Sequence, residues 1–241
     1  MLAYTMTRRR WIADTWSETH ASLTGTQARH LALVLRAEPC QVFDVVAGGH
    51  LHRASIVSVQ PEEIIFLLHE EMLVQAALPL HLLLAVFKFD RFEWAVEKAT
   101  ELGVARITPV LARRTEKHLA QSSAKRVERW RRIAHEAAQQ SRRSDVPAID
   151  DPLALQPALA ATSSATKILL AETEEEISLA SILTAHQGQP AALAIGPEGG
   201  WTQQEMELFT AQEWHFVTLG PRILRAETAA IAALAIASAL L

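Results

Sequence analysis

Two short loops concentrate the residue types that chemistry on a bound ligand needs. The first is Ile195-Gly196-Pro197-Glu198-Gly199-Gly200-Trp201. Its glycines permit positive φ and let the backbone come close to a ligand. Glu198 sets a carboxylate inside the same tight turn. The second is Leu219-Gly220-Pro221-Arg222-Ile223-Leu224-Arg225-Ala226-Glu227-Thr228. Leu219, Ile223 and Leu224 beside Gly220 offer a flat pocket for an aromatic ring, with Arg225 and Glu227 as charges next to it. Either loop alone also reads as a plain turn between a strand and a helix. The pair, each expected to leave a strand end for a helix and at adjacent strand ends, points to a ligand site. Open α/β sheets bind ligands outside the carboxyl ends of their strands.

Other chemistries lack their residues. There is no phosphate-binding GxxxxGK[ST] loop, no GxGxxG, no HExxH, no G-x-S-x-G and no kinase signature. Cys40 is the sole cysteine, which excludes an intramolecular disulfide and a cysteine-rich zinc site and suits a reducing cytoplasm. His50 and His52 share a strand face with no acid or third histidine nearby in sequence, so no metal is expected.

The elements that must position the loops alternate strand and helix after Pro79. Leu80–Phe87 is a continuous apolar run, as in a strand buried on both faces. A helix is expected over Asp90–Leu102, with Asp90 as N-cap, Glu93 completing a capping box and Gly103 at C′. Arg106–Leu111 is the next strand, and Lys125–Gln140 a basic helix with Val127, Trp130, Ala134 and Ala137 inward. Strands follow at Lys167–Glu172, Ala191–Ile195 and His215–Leu219, with a helix capped by Thr202 and Glu205 and a last helix from about Ala226. The stretch near 150–165 and the acidic cluster Glu172–Glu176 read as surface. This pattern predicts a parallel sheet covered on both faces.

Residues 1–72 read as a separate β-rich domain, with a linker at about 73–79 and a second domain over 73–241. Gln41–Val46 and Leu51–Val59 are strand-like around a Gly48-Gly49 turn, and alternation puts Leu51, Arg53, Ser55, Val57 and Val59 on one face. His30–Arg36 is a candidate short helix.

The 241 residues, 49% hydrophobic and 21% charged, exclude a disordered or collagen-like chain. The apolar run Ala229–Leu241 spans 13 residues, short of the roughly 20 a membrane helix needs, so it reads as a core helix. Arg8–Arg10 are followed by Trp11-Ile12-Ala13-Asp14 rather than an apolar stretch, so no signal peptide is expected. Residues 106–143 hold 11 Lys/Arg against 3 acids, a net +8 in a chain of −4, which leaves −12 elsewhere. That asymmetry suits either a polyanion-facing surface or a solvated helix face.

The two loops, as GPEGGW-T-x-x-E (Gly196–Glu205) and LGPRILRAETA (Leu219–Ala229), resemble the signature of the RsmE-type family, small-subunit (16S) ribosomal RNA uridine-N3 methyltransferases of the SPOUT superfamily. KFDRFEWAVEKATELGV (Lys88–Val104), ITP (Ile107–Pro109), AAQQSRRSDVP (Ala137–Pro147) and HLALVLR (His30–Arg36) are similar to further family segments, so the resemblance covers nearly the whole chain. Ala226 replaces a usual Thr, and Phe89, Cys40 and Arg142 stand where glycine is common.

The resemblance implies an α/β fold with an N-terminal PUA-like β-barrel that binds RNA and a C-terminal SPOUT domain with a deep trefoil knot. It implies a cytoplasmic homodimer that methylates N3 of a uridine in ribosomal RNA, with no membrane association and no metal. Leu170, Ile195, Gly196, Pro197, Gly199, Gly200, Leu219, Gly220, Ile223 and Leu224 are then expected to hold S-adenosylmethionine. Arg225, Arg143 and Glu198 are the catalytic candidates, with Glu227 as an alternative carboxylate. Arg9, Arg10, Lys88, Arg91 and Arg142 are expected to contact RNA. Two alternatives stay open at this level: a SPOUT enzyme acting on a ribose 2′-oxygen or another base, and a non-catalytic RNA-binding protein of the same fold.

Overall fold

The structure is a computed structural model and describes residues 10–74 and 76–241. The chain forms two compact units. One comprises the described residues up to Ala76 together with Ala138–Asp145; the other comprises Ala77–Ala137 and Val146–Leu241. The segment Ala138–Asp145 thus clusters with the first unit, although the sequence reading placed it in the second domain.

The first unit is a six-stranded mixed sheet. Its strands are β1 (Trp11–Ile12), β2 (Thr15–Trp16), β3 (His20–Thr24), β4 (Val42–Ala47), β5 (His50–Val59) and β6 (Glu63–Met72), in the order β1-β4-β5-β6-β3-β2. Between β3 and β4 lie α1 (Gly25–Arg29) and a π-helical turn over His30–Val34. Trp11–Trp16 supplies both edge strands. Ala13 N–H donates to Val46 and Asp14 N–H to Ser22, so the sheet curls towards closure. Inside it pack Trp11, Leu23, Leu31, Phe43, Ile56, Ile64 and Phe66.

The Gly48-Gly49 turn forms as expected, with φ +61° and +88°. The simple alternation of β5 does not hold. Irregularities between His52 and Ala54 and between Ile56 and Ser58 shift the phase, so Leu51, Ala54 and Ile56 are buried while Val57 is exposed. Extra residues at a bulge rotate every later side chain to the other face. Cys40 and Arg142, which stand where the resemblance leads one to expect glycine, adopt φ +69° and +61°. A left-handed backbone favours glycine, since a Cβ there costs roughly 1–2 kcal/mol.

The second unit is a parallel sheet covered on both faces. In chain order it contains β7 (Leu78–Ala85), α2 (Phe89–Glu101), β8 (Val104–Leu111), α3 (Lys117–Ser123), α4 (Val127–Gln140), β9 (Ala148–Ile149) and β10 (Leu153–Ala154). There follow α5 (Leu155–Ala160), β11 (Thr166–Leu170), α6 (Leu179–Ala185), β12 (Ala191–Ile195), α7 (Gln203–Ala211), β13 (His215–Val217) and α8 (Ala226–Leu240). The strand order is β10-β8-β7-β12-β11-β13, with β9 beside β8. Leu80, Leu82 and Leu84 of β7 and Leu193 of β12 face one core with α2, α4 and α8. Leu83, Leu169, Ala192 and Ala194 face the other with Leu155, Leu159, Phe209 and Trp214. Both faces are dry, which is why these strands carry apolar runs rather than alternation.

Two local expectations fail. α2 starts at Phe89 with Lys88 as its N-cap and no side-chain cap bond, so the Asp90–Glu93 capping box is absent. Glu93 is instead held by Arg129 Nε at 2.7 Å and Arg126 Nη1 at 3.5 Å, while Phe89 lies under the Arg126 guanidinium and against Trp130. The stretch near 150–165 is not wholly surface either, since Leu155, Ala158 and Leu159 are core residues of α5. Among the described residues no helix is long and apolar enough to cross a membrane. None of their His, Cys, Asp and Glu side chains form a group able to hold a metal ion.

A buried polar relay crosses β7 and β8. Thr108 Oγ1 donates its one proton to Asp150 Oδ2, so it accepts from His81 Nε2–H at 2.7 Å; Arg106 Nε donates to the same carboxylate oxygen at 2.8 Å. Burial, and then the nearby Arg106 charge, push the His81 imidazole down to about 4, against a smaller opposing pull from Asp150. The unfolded imidazole titrates near 6.5, so the unfolded chain binds more protons between these values. The associated stability is fully present above about pH 6.5 and is lost as pH falls through about 4, on the order of 3 kcal/mol in all. Urea unfolding from pH 7 to 4 should show a steeper loss in the parent than in His81→Gln. Parallel pH profiles would refute the assignment.

Candidate active site

The carboxyl ends of β11, β12 and β13 open onto one cleft of about 1040 Å³. The loop after β12 is set by packing. A Cβ on Gly196 would lie 3.0 Å from the Trp201 indole, which stacks edge-on to Phe209 at 5.0 Å. Gly200 takes φ +70° and closes a turn onto the Pro197 carbonyl at 2.8 Å. The Thr202–Glu205 capping box forms as expected.

Glu205 does more than cap. It is buried, with Oε2 accepting from the Thr202 N–H and hydroxyl, each at 2.8 Å, and Oε1 accepting from the Arg113 N–H at 2.8 Å. One carboxylate thereby ties the segment after β8 to the loop after β12. Arg114, next to that tie, reaches the loop with Nη1 and donates to the Gly199 carbonyl. Its stem packs where Gly199 has no side chain, 3.3 Å from a built Cβ.

The loop after β13 carries Gly220 at φ +110°, braced by Thr218 Oγ1 on its N–H at 3.1 Å. The strand order corrects one expectation: β12 and β13 are not neighbours, because β11 lies between them. A third loop, Ala171–Glu175, therefore joins the cleft, and the acidic cluster read as surface is part of its rim. The signal was available, since this loop also leaves a buried strand at the same sheet end. Within it Glu174 accepts the N–H groups of Ile177 at 2.9 Å and Glu176 at 2.8 Å, which hold its carboxyl below the usual carboxylate range.

Leu170, Ile195, Gly196, Pro197, Gly199, Gly200, Leu219, Gly220, Ile223 and Leu224 all line this cleft, as do Glu198 and Arg225. Ile223 stands 84% exposed at the rim, not in a closed pocket. Arg225 is exposed at the N-cap of α8 and makes no ion pair among the described residues. Glu227 is buried, and its partner is Arg91: Nε lies 3.7 Å from Glu227 Oε1, and Nη1 lies 4.0 Å from Glu198 Oε1. Arg91, read as an RNA contact, thus sits between the two candidate carboxylates. Lys88 is exposed at the N-cap of α2.

Arg10, Arg142 and Arg143 belong to the first unit. Arg10 Nη1 donates to the Arg142 carbonyl, and the Arg143 guanidinium is clasped by Asp145. Arg9 lies outside the described residues. The basic stretch is less cationic than its +8 suggests. Arg106 pairs with Asp150, Arg126 and Arg129 with Glu93, and Arg131 with Glu128 and Asp151. Arg113, Lys117, Lys125 and Arg132 make no ion pair among the described residues.

A family model described as an RNA methyltransferase domain matches residues 74–238. The chain is 34% identical over 223 residues to ribosomal RNA small subunit methyltransferase E of Bacillus subtilis, covering 88% of this chain and 87% of that one. It is 36% identical over 228 residues to the protein of the same name from Synechocystis, covering 93% and 74%. In structure it resembles ribosomal RNA small subunit methyltransferase E of Neisseria gonorrhoeae bound to S-adenosyl methionine, with a TM-score of 0.83, 29% identity and coverage of 96% and 97%. A strand-end cleft walled by glycine-bearing loops and likeness over nearly the full length converge: the chain belongs to the ribosomal RNA small subunit methyltransferase E family.

Proposed function

We propose that this chain transfers the methyl group of S-adenosylmethionine to N3 of a uridine in 16S ribosomal RNA. The observation that carries this reading is the single cleft formed by the loops after β11, β12 and β13. Its volume of about 1040 Å³ is at the upper end of ordinary small-molecule sites, roughly 300–1,000 Å³. Gly196, Gly199 and Gly200 bring bare backbone to its wall, and Leu170, Ile195, Leu219 and Leu224 give it apolar surface, which suits an adenosine. These residues, with Pro197, Gly220 and Ile223, would hold the cofactor. When bound, the cofactor supplies a methyl group already activated by its sulfonium.

The chain's own task is then to orient the uracil and manage one proton. N3 of uridine is a weak acid and must lose its proton before or during attack. Orientation of two reactants in one site accounts for on the order of 7–11 kcal/mol in favourable cases. Arg225 is the group we assign to the developing anion on the base. Its guanidinium is not spent on an ion pair, and its planar fork matches the edge of an anionic base. Arg143 is a second candidate. Glu198 accepts the proton or orients the cation beside it; its proximity to Arg91 favours orientation.

The first unit we read as the PUA-like RNA-binding domain, with Arg9, Arg10 and Arg142 on RNA, and Lys88 and Arg91 contributing from the second unit. Phosphate contacts of this kind make affinity salt-dependent. The target base must leave its stack to reach the cleft. A trefoil knot is the topology we assign to the chain between β11 and α8. The position of β13 outside β11, with α8 packing back on α2 and β12, supports it. The outer face of α8, with Ala232, Ala235 and Ala239, suits a homodimer contact. The setting we propose is cytoplasmic.

Mass mapping of ribosomal RNA nucleosides tests the reaction. Deletion of the gene should remove one 3-methyluridine from 16S ribosomal RNA; an unchanged 3-methyluridine content, or loss of a 2′-O-methyl group instead, would overturn the reading. Arg225→Lys keeps the charge and loses the fork. Single-turnover methylation at saturating cofactor should slow by roughly a hundred- to a thousandfold, with cofactor affinity little changed. A near-normal rate would remove Arg225 from the chemistry.

A further inference from the structure

The cleft contains two opposite charges that are not paired with each other. Arg114 Nη1 and Glu172 Oε2 flank Gly200: a Cβ built there would lie 3.9 Å from the first and 4.0 Å from the second. Both residues line the cleft. The Glu172 carboxylate makes no ion pair or side-chain hydrogen bond among the described residues, unlike Glu174, whose carboxylate is used by its own turn. Arg114 spends one nitrogen on the Gly199 carbonyl and otherwise faces solvent. The hydrogen bond it donates to the Gly199 carbonyl holds its head in place, so the cation is pre-positioned rather than free to swing.

Between them the backbone is bare. Gly200 at φ +70° leaves room where any other residue would put a side chain. A cation held by the loop and an unpaired carboxylate, across a gap wider than an ion pair, suit a ligand that carries both charges on one small centre. An α-amino acid does so, with its ammonium and carboxylate on a single carbon. Charge-assisted hydrogen bonds of about 2.8 Å at each end span such a gap. We infer that Arg114 and Glu172 form the subsite for the amino-acid end of the methyl donor, Arg114 taking the α-carboxylate and Glu172 the α-ammonium. The inference rests on the cofactor reading above and adds which residues discriminate among its analogues.

Three ligands test it by calorimetry on the full chain. S-adenosylmethionine carries both charges, decarboxylated S-adenosylmethionine lacks the carboxylate, and methylthioadenosine lacks the whole amino-acid end. The parent should bind S-adenosylmethionine roughly ten- to a hundredfold more tightly than the decarboxylated form. In Arg114→Gln that preference should fall to near unity. In Glu172→Gln both ammonium-bearing ligands should weaken together, so the preference persists. Methylthioadenosine should bind the parent and both variants alike, which shows that the loop has kept its shape. If Arg114→Gln retains the parental preference, or Glu172→Gln binds every ligand as the parent does, the subsite is wrong while the cleft stands. If the parent binds none of the three, the cofactor reading itself fails.

Discussion

One buried carboxylate holds the cleft in shape. Glu205 is 3% exposed and accepts three hydrogen bonds from two separate segments, Thr202 on its own loop and Arg113 after β8. Hydrogen bonds to a charged acceptor contribute roughly 1.5–3 kcal/mol each. Loss of the acceptor would leave the Thr202 and Arg113 N–H groups without their partner. What depends on it is position. Arg114 follows Arg113 directly, so the cation that touches Gly199 is anchored one residue from the tie. The glycines of the loop can be as permissive as a ligand requires because a rigid element at each end limits where they go.

The sheet supplies the second constraint. A dry parallel sheet places every strand's carboxyl end on one side, and loops there inherit a common direction. Three loops of different chemistry meet at that edge: a glycine turn, an apolar turn with Arg225, and an acidic turn. Arg91, on α2, adds a cross-connection by lying near both Glu198 and Glu227. Helix α8 starts in the cleft and ends in the core, so its apolar composition reflects packing on α2 and β12 while its first turn serves the site.

The parts legible in sequence were those set by local rules. The run Leu80–Phe87 announces a strand dry on both faces, Thr202 with Glu205 announces a capped helix, and Gly103 marks a helix end; all three are present. Glycine-bearing loops next to such strands announced a ligand site, and their residues do share one cleft. Strand order is not a local property, so the insertion of β11 between β12 and β13 could not be read, and the acidic loop was taken for plain surface. Bulges in β5 broke an alternation that looked regular. Glu93 was read as a cap because its partners, Arg126 and Arg129, lie a full crossover away in sequence. The same blindness inflated the basic stretch, since three of its neutralising acids, Glu93, Asp150 and Asp151, fall outside residues 106–143.

The central claim is that a cleft pre-formed by the Glu205 connection binds S-adenosylmethionine. Calorimetric titration of S-adenosylmethionine into the parent and into Glu205→Gln tests it most directly. The glutamine amide would set a donor against donors, and each buried donor left unpaired costs about 1–3 kcal/mol. The parent should bind one cofactor per chain, and the variant should bind it roughly tenfold or more weakly, at a temperature where circular dichroism shows both folded. Absence of binding by the parent, or equal affinity of the two proteins, would contradict it.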